Sequence, residues 1–370
     1  MVVPPLTSYT ILLPNRPIQY KTGILKEHLH TREAAGLFDV SHMLGVVIKG
    51  ADRVAFMESL CVADIAALAE GVGGLSMLTN ESGGVIDDMI VTNAGDHLYM
   101  VINAGHEGKD LPHMEHHLAA FVAKGGDAVM ETRPENAIFA LQGPKAASVL
   151  QSMTDTDLSR MGFMDSATVT VDGIDCFVAR SGYTGEDGFE IAVSAGSGAH
   201  NAISLWENLT GNGDVMPIGL GARDSLRLES GLCLYGNDLD DTTSPVEGSL
   251  LWTIAKRRRG EPGSFVGSER ILAELADKKL VTRKRVGFVV PKGAPVREGT
   301  ALQDADGKEV GIVTSGGFSP CIKKGIGMCY VPRRLMKAGS ELFAEVRGKQ
   351  VPIEVTKMPL VPQTYYRVPE

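Results

Sequence analysis

The sequence predicts an α+β fold: two related helix-and-strand units followed by a small antiparallel barrel or sandwich. Three observations carry this. Helix and strand signals alternate along the first two-thirds of the chain without the regular beat of a doubly wound sheet. The stretches IKGADRVAFMESL (Ile48–Leu60) and LQGPKAASVLQSM (Leu141–Met153) share a strand–glycine–helix layout, and hairpin-like strands follow each. That reads as an internal duplication of a split βαβ unit. From about Val281 the pattern becomes short alternating strands between Gly-, Pro- and Asp-rich turns.

In order, residues 24–35 read as a helix closed by Gly36, followed by a strand over Ser41–Lys49. Val54, Met57 and Leu60 recur at helical spacing and predict a helix over Ala51–Leu60. Leu75–Thr79 and Val85–Thr92 form a hairpin around the turn Asn80–Gly84. A strand over His97–Ile102 and a helix over Leu111–Ala123 complete the first unit. The second runs from a strand, Ala137–Leu141, through the Gly143–Pro144 break into a helix over Lys145–Met153. Strands over Thr168–Val171, Asp175–Arg180 and Phe189–Val193 and a helix over Ala202–Leu209 follow. The last unit takes strands over Arg285–Val290, Val310–Thr314, Gly327–Val331, Glu341–Val346 and Gln350–Thr356, with its boundary within Asp277–Thr282.

At 370 residues the chain has room for two or three domains of roughly 100–200 residues each. Hydrophobic residues make up 44% and charged residues 22%, the balance of a globular protein with ordinary cores. No apolar run reaches the ~18–20 residues a membrane helix needs. The net charge of −9 argues against a nucleic-acid binder. That charge is uneven: residues 1–250 carry −19 and residues 251–370 carry +10. The basic third can attract an acidic partner, or the two parts can complement each other across a domain interface. Five scattered cysteines without a C-x-x-C pattern fit a reducing compartment and neither a disulfide framework nor a thiolate zinc site. The first 26 residues lack Asp and Glu but carry Arg16, Lys21 and Lys26, a mitochondrial presequence's charge pattern, which Pro4, Pro5 and Pro14 interrupt.

Three runs carry chemistry. In GGVIDDMIV two carboxylates sit inside an apolar strand, and the period of two sends Asp87 and Asp88 to opposite faces. One of them therefore faces a partly buried site suited to an amine, while Asp87 by itself also suits a turn-stabilising role at the hairpin's end. SGYTGEDGFEI is a glycine-rich loop entering a strand that carries Glu190. In GLGARDSLRLE, Arg223 and Arg227 share a helix face. A strand carboxylate and a guanidinium can bracket a planar heterocycle, or form an ordinary surface ion pair. The incomplete G-x-G-x-x-G at Gly219 lacks the context of a dinucleotide site. His113, His116 and His117 match no metal motif and read as a solvated helix face, and no metal site is expected.

Together these runs closely resemble the aminomethyltransferase (T-protein) family of the glycine cleavage system. The matching stretches are LFDVSHM (Leu37–Met43), GGVIDDMIV (Gly83–Val91), ALQGP (Ala140–Pro144), SGYTGEDGFEI (Ser181–Ile191) and GLGARDSLRLESGLCLYGND (Gly219–Asp238). TSPVEGSLLWTIAKRRR (Thr243–Arg259), TSGGFSPCIKKGIGM (Thr314–Met328) and MPLVPQTYY (Met358–Tyr366) extend the match collinearly over about residues 20–370. The stretch Leu6–Lys21 is shorter than the family's usual opening and has no Trp.

The resemblance implies two intertwined ferredoxin-like (split βαβ) units and a C-terminal β-barrel, in a cloverleaf around a central folate channel. Residues 1–48 with 133–240 would form the first, folate-binding unit, 49–132 with 241–280 the second, and 281–370 the barrel. The implied reaction transfers the methylene of the S-aminomethyl-dihydrolipoyl arm of H-protein to tetrahydrofolate, releasing ammonia. The family's critical carboxylate maps to Asp88, and its folate ligands map to Glu190, Arg223 and Tyr365. Met43 and Trp252 suit the pterin and benzoyl slot and equally suit plain core. The partner implied is lipoylated H-protein, docked on the basic C-terminal third including Lys256–Arg259, a run that also suits a solvated face or a contact for folate's glutamyl tail. The implied place is the mitochondrial matrix in a eukaryote and the cytoplasm otherwise. A folate-dependent demethylase of sulfoniopropionates, or a folate-binding scaffold without catalysis, is the alternative.

Overall fold

A computed structural model describes residues 17–133, 137–194, 199–260 and 263–369. The presequence-like residues through Arg16, and most of the short Leu6–Lys21 opening, lie outside the described residues.

The chain enters through α1 (Ile24–Glu33) and β1 (Ala35–Asp39). Contrary to the expectation from sequence, Gly36 does not close the helix; it lies inside β1. A Cβ there would stand 2.4 Å from Thr31 Oγ1 and 2.8 Å from Ile218. The chain passes from helix to strand without a loop, and glycine lets the strand pack directly on the helix it has just left.

The duplication is legible in sheet order. The first unit runs β2 (Met43–Lys49), α2 (Arg53–Leu60), β3 (Gly73–Thr79), β4 (Val85–Asn93), β5 (Leu98–Asn103), α3 (Glu107–Ala123) and β6 (Val129–Arg133). Its strands pair antiparallel in the order β3-β4-β5-β2-β6. The second runs β7 (Ala137–Gln142), α4 (Ala146–Gln151), β8 (Ser166–Val171), β9 (Ile174–Ala179), β10 (Gly188–Val193), α5 (Ala199–Gly211) and β11 (Val215–Pro217). Its sheet is β8-β9-β10-β7-β1-β11, the same order with β1 wedged before the last strand. β1 pairs antiparallel with β7 and parallel with β11. Sheet membership puts all of Met43–Lys49 with β5 and β6, so the first two units part between β1 and β2 rather than after residue 48.

Each sheet has its own core. Phe139, Phe189, Leu205 and Trp206 fill one, and Phe56, Met57, Leu60 and Met100 the other. After α6 (Leu220–Glu229), an irregular stretch to α7 (Ser268–Ala276) returns across the first unit. It packs Tyr235, Leu239, Val246 and Ile254 against Met77 and Val85. The last six strands are β12 (Arg283–Val290), β13 (Ala301–Gln303), β14 (Glu309–Ser319), β15 (Lys324–Pro332), β16 (Glu341–Val346) and β17 (Lys349–Thr356). They close into a barrel in the order β12-β15-β14-β13-β16-β17 around Phe288, Leu302, Cys329 and Leu342. Closure removes the open edges that a sandwich would leave.

Helix α6 joins these parts through buried charge. Arg227 donates to Asp238 Oδ2 at 2.7 Å and to Ser315 Oγ of the barrel at 2.8 Å. Asp238 also accepts from the hydroxyls of Thr314 (2.6 Å) and Ser315 (2.9 Å). Glu229, at the helix's end, accepts from Arg32 of α1 at 2.9 Å and from Ser319 of the barrel, and lies 3.1 Å from His28 Nε2. Burial alone would raise the Glu229 carboxyl, but the hydrogen bond and charge of His28, with Ser319 and Arg32, outweigh it and hold the carboxyl at about 2.

Removing one partner of a buried pair leaves the other charge uncompensated, at about 3–5 kcal/mol. Arg227→Met is therefore expected to lower the free energy of urea unfolding by about that amount. Because Glu229 titrates lower folded than unfolded, its stabilisation is present above its ordinary 4.5 and lost as pH falls toward 2. Acid titration should show Glu229→Gln losing less stability than the parent across that window.

Candidate active site

Hairpin β3–β4 sets the first carboxylate. Gly84 leaves no Cβ because one would stand 1.8 Å from the Asp241 carbonyl oxygen, and the chain lies close enough for Val85 N–H to donate to Thr243 O at 3.0 Å. The turn before it is capped by the Asn80 side chain, which accepts from the amides of Ser82 and Gly84 at 3.0 Å each. Asp87 therefore has no turn role. It is fully buried on the helix side of β4, accepting from Asn103 Nδ2 at 3.0 Å and from the Asp88 amide at 2.9 Å.

Asp88 points to the other face, where it keeps some exposure and meets the second unit. Burial first, and the Asp87 charge second, push its carboxyl up to about 7, against the pull of Arg223.

The opposing wall comes from β10 and α6. Glu190 sits on β10 between Ala140 and Ala179, where Ser181 Oγ donates to its Oε2 at 2.9 Å. Burial raises its carboxyl, opposed by Ser181 and Arg223. The Arg223 guanidinium lies 4.7 Å from the centre of the Tyr183 ring and acts electrostatically on both Asp88 and Glu190. Tyr183 donates to the Cys233 carbonyl, and burial raises its hydroxyl. Two carboxylates from different sheets thus feel one guanidinium that lies over an aromatic ring, a set of groups able to accept N–H donors from a flat, electron-rich ring.

The family model for the GCVT N-terminal domain matches residues 12–258, and that for the glycine cleavage T-protein C-terminal barrel domain matches residues 283–362. The chain belongs to the glycine cleavage T-protein family. It is 51% identical over 352 residues to the mitochondrial aminomethyltransferase of Pisum sativum, covering 95% of this chain and 85% of that one. The mitochondrial aminomethyltransferase of Gallus gallus is 50% identical, with 95% and 88% covered. The crystal structure of glycine cleavage system aminomethyltransferase T from Bartonella henselae superposes with a TM-score of 0.87 at 39% identity, covering 95% of this chain and 93% of that one.

The other residues mapped from the family are placed differently. Tyr365 stacks on Phe163, with ring centres 4.0 Å apart, and its electrostatic neighbours are Arg32 and Glu186 rather than Asp88. Met43 packs partly buried against the apolar cluster of Phe38, Val40, Ile138 and Leu226 between the two sheets. Trp252 is 66% exposed on a short helical turn, Leu251–Thr253.

Of the basic run, Arg257 pairs with Glu58 and Asp64, and Arg258 is buried against the Glu58 and Ser264 carbonyls. Part of the charge asymmetry between the chain's two parts therefore closes on itself.

The histidine cluster is only partly a solvated face. His113 and His117 rings lie 4.6 Å apart, and burial pushes His113 down to about 4. The glycines of the incomplete dinucleotide motif serve packing: Gly219 N–H donates to Glu27 Oε2 at 2.8 Å and Gly221 N–H to Ile18 O at 2.8 Å, so these N-terminal donors of α6 are taken. Among the described residues, His28, Glu229 and Cys321 place potential metal-ligand atoms within 4.8 Å of one another. Glu229 there already accepts from Arg32, Ser319 and the Cys321 amide.

Tyr183 was missed as an individual residue, although an aromatic side chain inside a glycine-rich loop was the available signal. Asp88 titrates higher folded than unfolded, so it weakens folding progressively as pH rises from about 4 to about 7. Asp88→Asn should melt at a higher temperature than the parent at pH 8, with the difference vanishing near pH 4.

Proposed function

We propose that this chain is an aminomethyltransferase that moves the methylene of the S-aminomethyl-dihydrolipoyl arm of H-protein onto tetrahydrofolate and releases ammonia. The observation carrying this reading is that two raised carboxyls from different sheets, Asp88 and Glu190, both feel the charge of Arg223. Its residues fit a reduced pterin: Glu190 has one oxygen engaged by Ser181 and the other open to ring N–H and amino donors. Tetrahydrofolate, when bound, supplies the secondary amines that accept the carbon.

This chain's own residues orient, desolvate and move a proton. Asp88, with a carboxyl near 7, changes protonation state within the working range. As carboxylate it stabilises positive charge on the attacking amine and then takes its proton. As acid it passes that proton to the departing ammonia, and the acceptor's second amine proton balances the arm's sulfur, which leaves as the thiol. Arg223 lies where it offsets the charge of both carboxylates, and Tyr183 holds its plane. By its family resemblance this reading also assigns Met43, Trp252 and Tyr365 to folate contact, away from the Asp88–Glu190 pair.

The partner reading follows the family, and H-protein docks on the basic C-terminal third. With Arg257 paired at the surface to Glu58 and Asp64 and Arg258 buried, Lys256 and the exposed barrel cations are left to steer it. The place is the mitochondrial matrix in a eukaryote and the cytoplasm otherwise; the relatives above from Pisum sativum and Gallus gallus are named mitochondrial. No helix of the described residues is long and apolar enough to cross a membrane.

Purified protein mixed with aminomethylated H-protein and tetrahydrofolate should release ammonia, and failure to do so overturns the reading. Asp88→Asn should lower turnover by about 10²–10⁴ while folate binding stays measurable by calorimetry. Affinity for H-protein should fall steeply between low and high salt; a flat response removes electrostatic steering.

A further inference from the structure

Behind Asp88, on the helix side of β4, lies a polar cluster that the proposed chemistry does not use. Asp87 and Asp110 are both fully buried, one on β4 and the other in the first turn of α3. Asp87 acts on Asp110 as a side-chain hydrogen-bonding neighbour as well as by its charge. Asp87 Oδ2 and both Asp110 oxygens meet no N–H or O–H donor within hydrogen-bond distance among the described residues. Two buried carboxylates cannot face each other both ionised, because each lacks water and repels the other. One proton between them removes both costs.

The surroundings hold that proton in place. From β4, the Asp88 amide donates to Asp87 Oδ1, and from β5, Asn103 Nδ2 does the same. His106 Nδ1 lies 3.6 Å from Asp87 Oδ2, with its ring edge-on to Tyr235 at 4.8 Å. Lys109, next to Asp110, turns away to donate to the Ile86 carbonyl and the Tyr235 hydroxyl, and its ammonium lies 4.0 Å from that ring's centre. Tyr235 donates to Val85 O at 3.0 Å, and Asp240 and Asp241 act on it from its own segment. Burial and Asp87 push the Asp110 carboxyl up to about 9.

We infer that Asp87 and Asp110 share one proton at neutral pH, and that this acid pair is a positioning device for Asp88. Asp110 holds the proton and donates it to Asp87 Oδ2. That fixes the Asp87 plane, and through its bond to the Asp88 amide it sets the backbone from which the Asp88 carboxylate reaches the site. The pair also keeps a single negative charge behind Asp88, which helps hold that carboxyl near neutrality. The positioning part rests on the aminomethyltransferase reading; the shared proton does not.

Infrared difference spectroscopy on the full chain tests the shared proton. At pH 8, the spectrum of Asp88→Asn minus that of Asp88→Asn/Asp110→Asn should show one C=O stretch of a protonated carboxylic acid, shifted in D₂O. The absence of that band overturns the pair. Kinetics test the positioning. Asp110→Asn keeps a neutral donor and should hold kcat within about twofold. Asp110→Leu fills the same space without a donor and should lose kcat about tenfold or more, as expected for a buried partner left unmatched, with KM for folate little changed. Equal activity of the two variants would make Asp110 a space-filler and overturn its positioning role. Should Asp88→Asn stay active in the ammonia assay, the catalytic reading falls while the infrared difference still decides the pair.

Discussion

The buried charges in the last turn of helix α6 are the constraint on which the rest of this fold depends. Arg227 and Glu229 are buried, and so is Asp238 just beyond the helix, at the meeting of α1, the second sheet and the barrel. Ions taken out of water are costly unless each finds a matched partner with good geometry. Here the partners come from two distant parts of the chain: Arg32 and His28 of α1, and the hydroxyls of Thr314, Ser315 and Ser319 on β14 of the barrel. Satisfying them ties α1, α6 and the barrel to one another. The same helix carries Arg223 one turn earlier, so the joint that orders the units also aims the guanidinium of the site.

The site has a related logic. Asp88 and Glu190 arrive from sheets with separate cores, and neither environment by itself compensates a buried carboxylate. Arg223 and Ser181 offset part of the burial on one side, while Asp87 increases it on the other. The period of two along β4 lets adjacent aspartates do different work: one lies in a helix-covered interior, the other faces the neighbouring unit. A carboxyl near 7 is a consequence of both faces being occupied.

Much of this was legible in the chain itself. Strand–glycine–helix stretches marked the repeat, and the sheet orders reproduce it. Alternation along GGVIDDMIV separated Asp87 from Asp88 before any coordinates were needed. Other features were not legible, for definable reasons. Gly36 looked like a helix stop because nothing local says that the next strand packs on the same helix. Asp87 passes for a turn residue because His106, just before α3, and Asp110, in its first turn, lie 19 and 23 positions away, at a helix that starts four residues earlier than its sequence pattern predicts. Lys256–Arg259 looked like a free basic surface because Glu58 and Asp64, which engage Arg257, are almost two hundred residues upstream.

By itself, the sequence determined the classes of secondary structure, the repeat, the separate C-terminal unit, the family and the short list of chemically able residues. These follow from local periodicity and residue type, which need no knowledge of neighbours. Tertiary structure decided which charges are free and which are neutralised, that the last unit closes as a barrel, that β1 wedges into the second sheet, and that Arg223, over the Tyr183 ring, acts on both Glu190 and Asp88. Desolvation and Coulomb interaction depend on distance through space, and that distance is set only when the units pack.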